Sequence, residues 1–346
     1  MQALVKTQEG PGFVELRDVP IPVPGSDEVL IRVGAAGICG TDVAIYRGAE
    51  GQVFYPPVVL GHEFSGEIAG VGAQVKDWKV GDRVVAEPQS RACGICSYCR
   101  TGRIGMCPEK RSPGWGTDGG MAEYVVMAAH LLHRIPENVS LDQAALAEPL
   151  SIAVHSMTEN TSVEPGDFVL VFGPGPIGIL SALAARQLGA RSVLAAGTAK
   201  DEAVRLKAAE AAGIDQVVNV EKEDIVQKVL DLTGGVGADM VVEASGSVGA
   251  ISAGVRSLRR QGRFVATGFA HARKLDFDWN TCVLKNLSMF FQYSSTYTSW
   301  DRSLKMLAGG GSGFDRVITR KAKLADWKQA FEDLENSRAV KILLEP

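Results

Sequence analysis

From residue 152 onward the chain alternates between two textures. Short apolar runs suited to buried strands are DFVLVF (167–172), SVLAA (192–196), QVVNV (216–220), ADMVVEAS (238–245), RFVATG (263–268) and NLSMFFQ (286–292). Between them lie longer segments whose apolar residues recur every three to four positions: PIGILSALAARQLG (176–189), DEAVRLKAAEAAG (201–213), EDIVQKVLDLTG (223–234) and GAISAGVRSLRRQG (249–262). Strands alternating with helices of this length predict a parallel sheet covered on both faces. Before residue 150 the pattern is different. Runs such as EVLIRVGAAG (28–37), VVLGHEFSGEIAGVG (58–72), GDRVVAEP (81–88) and GGMAEYVVM (119–127) are short and broken by Gly and Pro, which predicts a β-rich unit. The tail holds one helical segment, LADWKQAFEDLENS (324–337), and the strand-like AVKILLEP (339–346). A short tail of this kind is expected to fold back on the first unit. The expected division is therefore 1–151 with 294–346, and 152–293 as a separate unit.

VLVFGPGPIG carries G-x-G-x-x-G at Gly173, Gly175 and Gly178, after a strand and at the opening of a helix. In that context Gly173 permits the tight turn, Gly175 lets backbone approach a pyrophosphate, and Gly178 allows helix and strand to pack closely. Pro176 and Ile177 complete a helix N-terminus that offers free N–H groups to phosphate. This predicts a doubly wound Rossmann sheet holding NAD or NADP. An acid is expected at the end of the second strand to bind a ribose 2′-hydroxyl. Gly197 stands there instead, followed by Thr198, Ala199 and Lys200. Without the carboxylate, Thr198 and Lys200 are suited to a 2′-phosphate, which favours NADP; Asp201 swinging in to serve the ribose is the alternative.

A net charge of −4 gives no electrostatic reason to expect a nucleic-acid partner. No apolar run approaches the roughly 18 residues that span a bilayer. The opening MQALVKTQEG lacks the basic and apolar regions of a secretory signal. A cytoplasmic location is therefore expected, and Arg259-Arg260 is taken as a solvated helix end. In that compartment clustered cysteines are metal ligands more often than disulfides. Cys93, Cys96, Cys99 and Cys107 follow the spacing C-x2-C-x2-C-x7-C. Four thiolates close a tetrahedral structural zinc site and leave no open position for chemistry.

Cys39 in GICGTD, His62 and Glu63 in GHEFSG, and Glu148 in LAEPLSIAVH form a mixed set of the kind that holds a catalytic zinc. They are distant in sequence, so spacing does not decide the matter. Cys39 as a small buried residue and His62 as a core histidine remain open on these grounds. Cys282 is read as a small buried residue. His155 is assigned packing or hydrogen bonding, and His130, His133 and His271 are assigned no function.

Taken in order, GICGTD, GHEFSGEI, the four-cysteine lobe, AEPLSIAVH and VLVFGPGPIG resemble the zinc-dependent medium-chain alcohol dehydrogenases across essentially the whole chain. The carboxylate in AEPLS resembles the sorbitol and polyol branch, and also threonine dehydrogenase. The resemblance implies a GroES-like catalytic domain beside the Rossmann domain. It implies two zinc ions per chain, one of them held by Cys39, His62 and Glu63. Glu148 is then a fourth ligand or holds the metal's water. It implies hydride transfer between a secondary alcohol or its ketone and NAD(P), with the metal as Lewis acid, and Thr41 as acceptor of the alcohol proton. A homodimer or homotetramer is implied as well. Two positions depart from the pattern. Ala44 stands where many relatives have a relay histidine, and Gln292 where polyol-type relatives often have arginine. Tyr46, Trp115, Gln292 and Tyr293 are the candidates for lining a substrate pocket. The competing readings are a threonine-like amino-alcohol dehydrogenase and a nucleotide-binding sensor without turnover.

Overall fold

The computed structural model describes residues 1–48, 54–270, 272, 274–311 and 313–346. His271 lies outside the described residues. The alternating apolar runs assemble into a six-stranded sheet in the order Gln216–Asn219, Ser192–Gly197, Phe168–Phe172, Ala238–Glu243, Leu258–Ala266 and Ser288–Phe291. Every neighbouring pair in it is parallel. Phe168–Phe172 is buried along its whole length, as expected of a central strand covered on both faces. The chain leaves this first strand with neighbours running away to both sides. That makes its carboxyl end the switch point where open α/β sheets bind ligands.

The earlier segments form a seven-stranded sheet around Glu28–Gly37 and Glu63–Val71, which pair antiparallel. A three-stranded sheet joins Val14–Asp18, Gln2–Lys6 and Val58–Val59. The tail enters the larger sheet: Lys341–Glu345 pairs antiparallel with Glu28–Gly37 and parallel with Ile318–Lys323. Its helix, Trp327–Glu335, buries Trp327, Ala330 and Phe331 in the core beneath that sheet.

Two features differ from the sequence reading. The tail holds a second helix, Tyr297–Ala308, that the sequence reading did not include. It buries Trp300, Leu304 and Leu307 in an apolar cluster shared by both units, with Val85, Ile135 and Val139 of the first and Val169, Val171 and Ile179 of the parallel-sheet unit. Arg259 and Arg260 are not a helix end either, because they open strand Leu258–Ala266. There Arg259 pairs with Asp239, and Arg260 donates to the Leu284 carbonyl.

Candidate active site and metal centres

Cys39 caps helix Gly40–Arg47. The Asp42 carboxylate accepts the Cys39 backbone N–H at 2.8 Å, which closes a capping box and fixes where the sulfur points. His62 and Glu63 stand where the strand Glu63–Val71 begins. One ligand atom from each of Cys39, His62 and Glu63 can be chosen so that all lie within 4.8 Å of one another. Glu148 is not part of that set. It occupies the first turn of helix Ala147–His155, buried and within electrostatic reach of His62 and Glu63.

The pocket concentrates negative charge. Burial by itself would lower the His62 pKa, but the Cys39 sulfur, Asp42 and Glu148 lift it to about 10. Burial, opposed by His62 and reinforced by Glu63, raises Glu148 to about 7. His62 Nδ1 and Asp42 Oδ1 are buried, have no hydrogen-bond partner among the described residues, and lie 3.9 Å apart. A thiol, an imidazole and a carboxylate converging in a dry, negative pocket match the donor set of a divalent zinc ion. Asp42 stands behind the imidazole as an orienting carboxylate does in such centres.

Lys341 is 1% exposed, and its ammonium pairs with Glu63 and donates to the Ile38 carbonyl at 3.0 Å. Gly37 sits opposite Glu63 in the strand register, and a Cβ there would lie 2.4 Å from the Glu63 carboxylate. Thr41 Oγ1 is 3.7 Å from the Cys39 sulfur. Ala44, on the same helix, offers no proton-carrying group.

The four clustered cysteines are brought together without a disulfide, their ligand atoms within 4.8 Å of one another. Cys93 lies 3.6 Å from Cys107 and 3.9 Å from Cys99, sulfur to sulfur. A tetrahedron with Zn–S bonds near 2.3 Å has edges of about 3.8 Å, so the cage has the dimensions of a zinc tetrathiolate.

At the glycine loop, Gly173 adopts φ +89°, and a Cβ on Gly178 would meet the Gly173 carbonyl oxygen at 1.9 Å. A Cβ on Gly175 would meet nothing within 4 Å. Gly175 is the N-cap of helix Pro176–Gln187, with Pro176 at the first helical position and Ile177 after it. The open side of Gly175 is a cradle with room for phosphate oxygens. One cavity of about 1090 Å³ runs from this loop past Thr198 and Lys200 to Gly40, beside Cys39. Asp201 lines the same cavity. Its carboxylate accepts from Thr198 N–H at 3.0 Å and Thr198 Oγ1 at 2.9 Å, and lies 3.5 Å from Arg205.

The pocket candidates separate. The Trp115 ring packs edge-on against His62, with centroids 4.7 Å apart. Tyr293 is exposed and lies beneath the Lys110 ammonium. Tyr46 makes the contacts of a core aromatic, edge-on to Trp327 and Phe331 at 5.5 and 5.8 Å. Gln292 is buried in a polar network. Asn160 donates to its carbonyl at 2.6 Å, and its amide meets His155 Nδ1 at 2.8 Å. The sequence reading overlooked Asp42, Lys341 and Lys110. For Lys341 a signal was present, a lone cation inside the apolar run AVKILLEP.

The family model "Alcohol dehydrogenase GroES-like domain" matches residues 25–137, and "Zinc-binding dehydrogenase" matches residues 176–309. A sorbitol dehydrogenase of Halalkalibacterium halodurans is 37% identical, covering 100% of this chain and 99% of its own. A D-arabitol-phosphate dehydrogenase of Enterococcus avium is 35% identical over 98% of this chain and 96% of its own. Among solved structures, a Sinorhizobium meliloti protein described as a zinc-binding dehydrogenase and bound to NADP superimposes with a TM-score of 0.91. It is 28% identical and covers 100% of this chain and 99% of its own.

Proposed function

The chain belongs to the zinc-dependent medium-chain alcohol dehydrogenases, and from that premise we propose that it oxidises a polyol or other secondary alcohol reversibly with NAD(P). The observation that carries this reading is the single cavity joining the glycine loop to the Cys39 helix. It brings the glycine loop and Gly40, the residue after Cys39, onto one space, an arrangement suited to hydride transfer between cofactor and substrate.

In this reading Cys39, His62 and Glu63 hold the catalytic zinc, and Glu148 is its fourth ligand or holds its water. When bound, the ion supplies Lewis acidity that makes a hydroxyl easier to deprotonate. The remaining work belongs to side chains. Asp42 orients His62, and Lys341 offsets the charge of Glu63. Thr41 accepts the alcohol proton. With Ala44 in place of a relay group, that proton leaves through water or the cofactor ribose. Trp115 closes one wall over His62. Cys93, Cys96, Cys99 and Cys107 hold a second, structural zinc.

The glycine loop takes the cofactor pyrophosphate. Asp201 already accepts from Thr198 and faces Arg205, and exposed Lys200 is in reach of a 2′-phosphate in this reading. This supports NADP, the nucleotide bound in the Sinorhizobium meliloti relative. A homodimer is proposed through strand Ser288–Phe291, the edge of the parallel sheet. Exposed Phe291, Trp279 and Val283 line one apolar cavity there, and water-exposed apolar edges of this kind are ordinarily covered. Six unpaired cysteines suit a reducing, cytoplasmic setting.

The test is a panel of sugar alcohols, diols and threonine with each nicotinamide. The reading expects turnover of polyols. Turnover of threonine alone would assign an amino-alcohol dehydrogenase, and cofactor binding without any turnover would leave a sensor.

A further inference from the structure

Beside the site lies a second cavity, of about 880 Å³, that the assignments above leave unused. Arg91, Lys110 and Arg111 line it, with Glu109 as the lining carboxylate and Glu148 within electrostatic reach of Lys110. Glu109 is exposed, whereas Lys110 and Arg111 are half-buried. None of the three cations forms an ion pair among the described residues. Instead the Lys110 ammonium sits 5.0 Å from the centre of the Tyr293 ring, and the Arg111 guanidinium 3.6 Å from that of Tyr55. The backbones of Arg91 and Arg111 are bridged, so the two side chains share one wall. Trp115 lines this cavity while packing on His62, so it is a wall common to both spaces.

Two half-buried cations held by aromatic rings rather than carboxylates keep their hydrogen-bond donors unspent. Arg forks and Lys ammonium groups are the usual partners of phosphate oxygens. Within the cavity's own lining, three positive charges face one exposed carboxylate, a balance that suits a group carrying close to two negative charges, as a phosphate monoester does near neutral pH. Resting on the polyol reading above, we propose that Lys110, Arg111 and Arg91 form an anion subsite for the terminal phosphate of a phosphorylated polyol whose hydroxyl reaches the Cys39–His62–Glu63 cluster.

The experiment compares a free sugar alcohol with its terminal phosphate ester in wild type and in K110Q, R111Q and the double variant. Inorganic phosphate is titrated calorimetrically into each protein as a probe that needs no turnover, and zinc is counted in each. Wild type is expected to favour the ester by kcat/KM. Each substitution is expected to cut that preference roughly 10- to 100-fold, the scale of one charge-assisted contact. The ester's KM is expected to rise with salt, and phosphate binding to weaken in the variants. Equal use of ester and free alcohol by wild type would overturn the subsite while leaving the oxidoreductase reading intact. Loss of lobe zinc with equal loss on both substrates would assign the cations to the cysteine cage and also overturn it. Phosphate binding that depends on Lys110 and Arg111, in a protein that oxidises no alcohol, would uphold the subsite and refute the oxidoreductase reading.

Discussion

Lys341 reaches Glu63 across 278 positions of sequence and neutralises it in a place almost sealed from water. Removing one partner of such a pair strands the other charge, so Lys341→Met should cost about 3–5 kcal/mol in urea unfolding. A loss below about 1 kcal/mol would mean that solvent or another group replaces the ammonium. Thr41 is on a different footing, because in the proposed mechanism its hydroxyl serves the chemistry and its structural contact is one long one to the Cys39 sulfur. Thr41→Ala should lower kcat by about 10²-fold with little change in unfolding midpoint, measured by steady-state kinetics beside a urea titration. Cys39, His62 and Glu63 were legible as a set through the family resemblance that their motifs carry, since spacing alone left them open. Lys341 and Asp42 were not legible, because their roles depend on which strand and which helix turn they face. Tyr46 shows the same limit: an aromatic near Cys39 in sequence turns its ring contacts to Trp327 and Phe331.

The glycine loop separates packing from ligand contact at the level of one turn and one helix. Gly178→Ala places a methyl against the Gly173 carbonyl, so stability and cofactor affinity should fall together, the former by about 1–3 kcal/mol. Gly175→Ala places its methyl in open space. Its unfolding midpoint should stay near wild type, while cofactor affinity drops roughly tenfold or more by fluorescence titration. Equal affinity in the Gly175 variant would remove that backbone from the phosphate site. A different link joins the first unit's strands. Asp82 accepts from Lys79 N–H and pairs with Arg134 at 2.9 Å, and Arg134 holds its carboxyl below the usual range. A carboxylate whose folded pKa is depressed contributes stability above its unfolded pKa and loses it as pH falls through the folded value. Asp82→Asn should therefore be less stable than wild type at neutral pH, and the two should converge in acid, as followed by urea midpoints. Most strands and helices were legible as elements because their periods are local, but helix Tyr297–Ala308 was passed over. Its place in a cluster shared by both units was not legible either, since an apolar stripe carries no address.

At the scale of the molecule, the tail strand Lys341–Glu345 enters the first unit's sheet, and helix Tyr297–Ala308 packs into the apolar cluster that both units share. The chain thus ties both units around the cavity between the glycine loop and Cys39. The proposed dimer uses the edge at Ser288–Phe291, where Phe291 is exposed, so Phe291→Asp should shift that dimer toward monomer in sedimentation velocity. A variant sedimenting as wild type would place the interface elsewhere. The central claim is that a cation held by Cys39, His62 and Glu63 makes an alcohol able to give up hydride. The most direct measurement follows formation of reduced nicotinamide from a polyol as zinc is withdrawn by a chelator and then returned. The account predicts that activity disappears with the zinc of this cluster, while the four-cysteine zinc still holds the fold, and returns on its restoration. Undiminished turnover after that zinc is gone would contradict it.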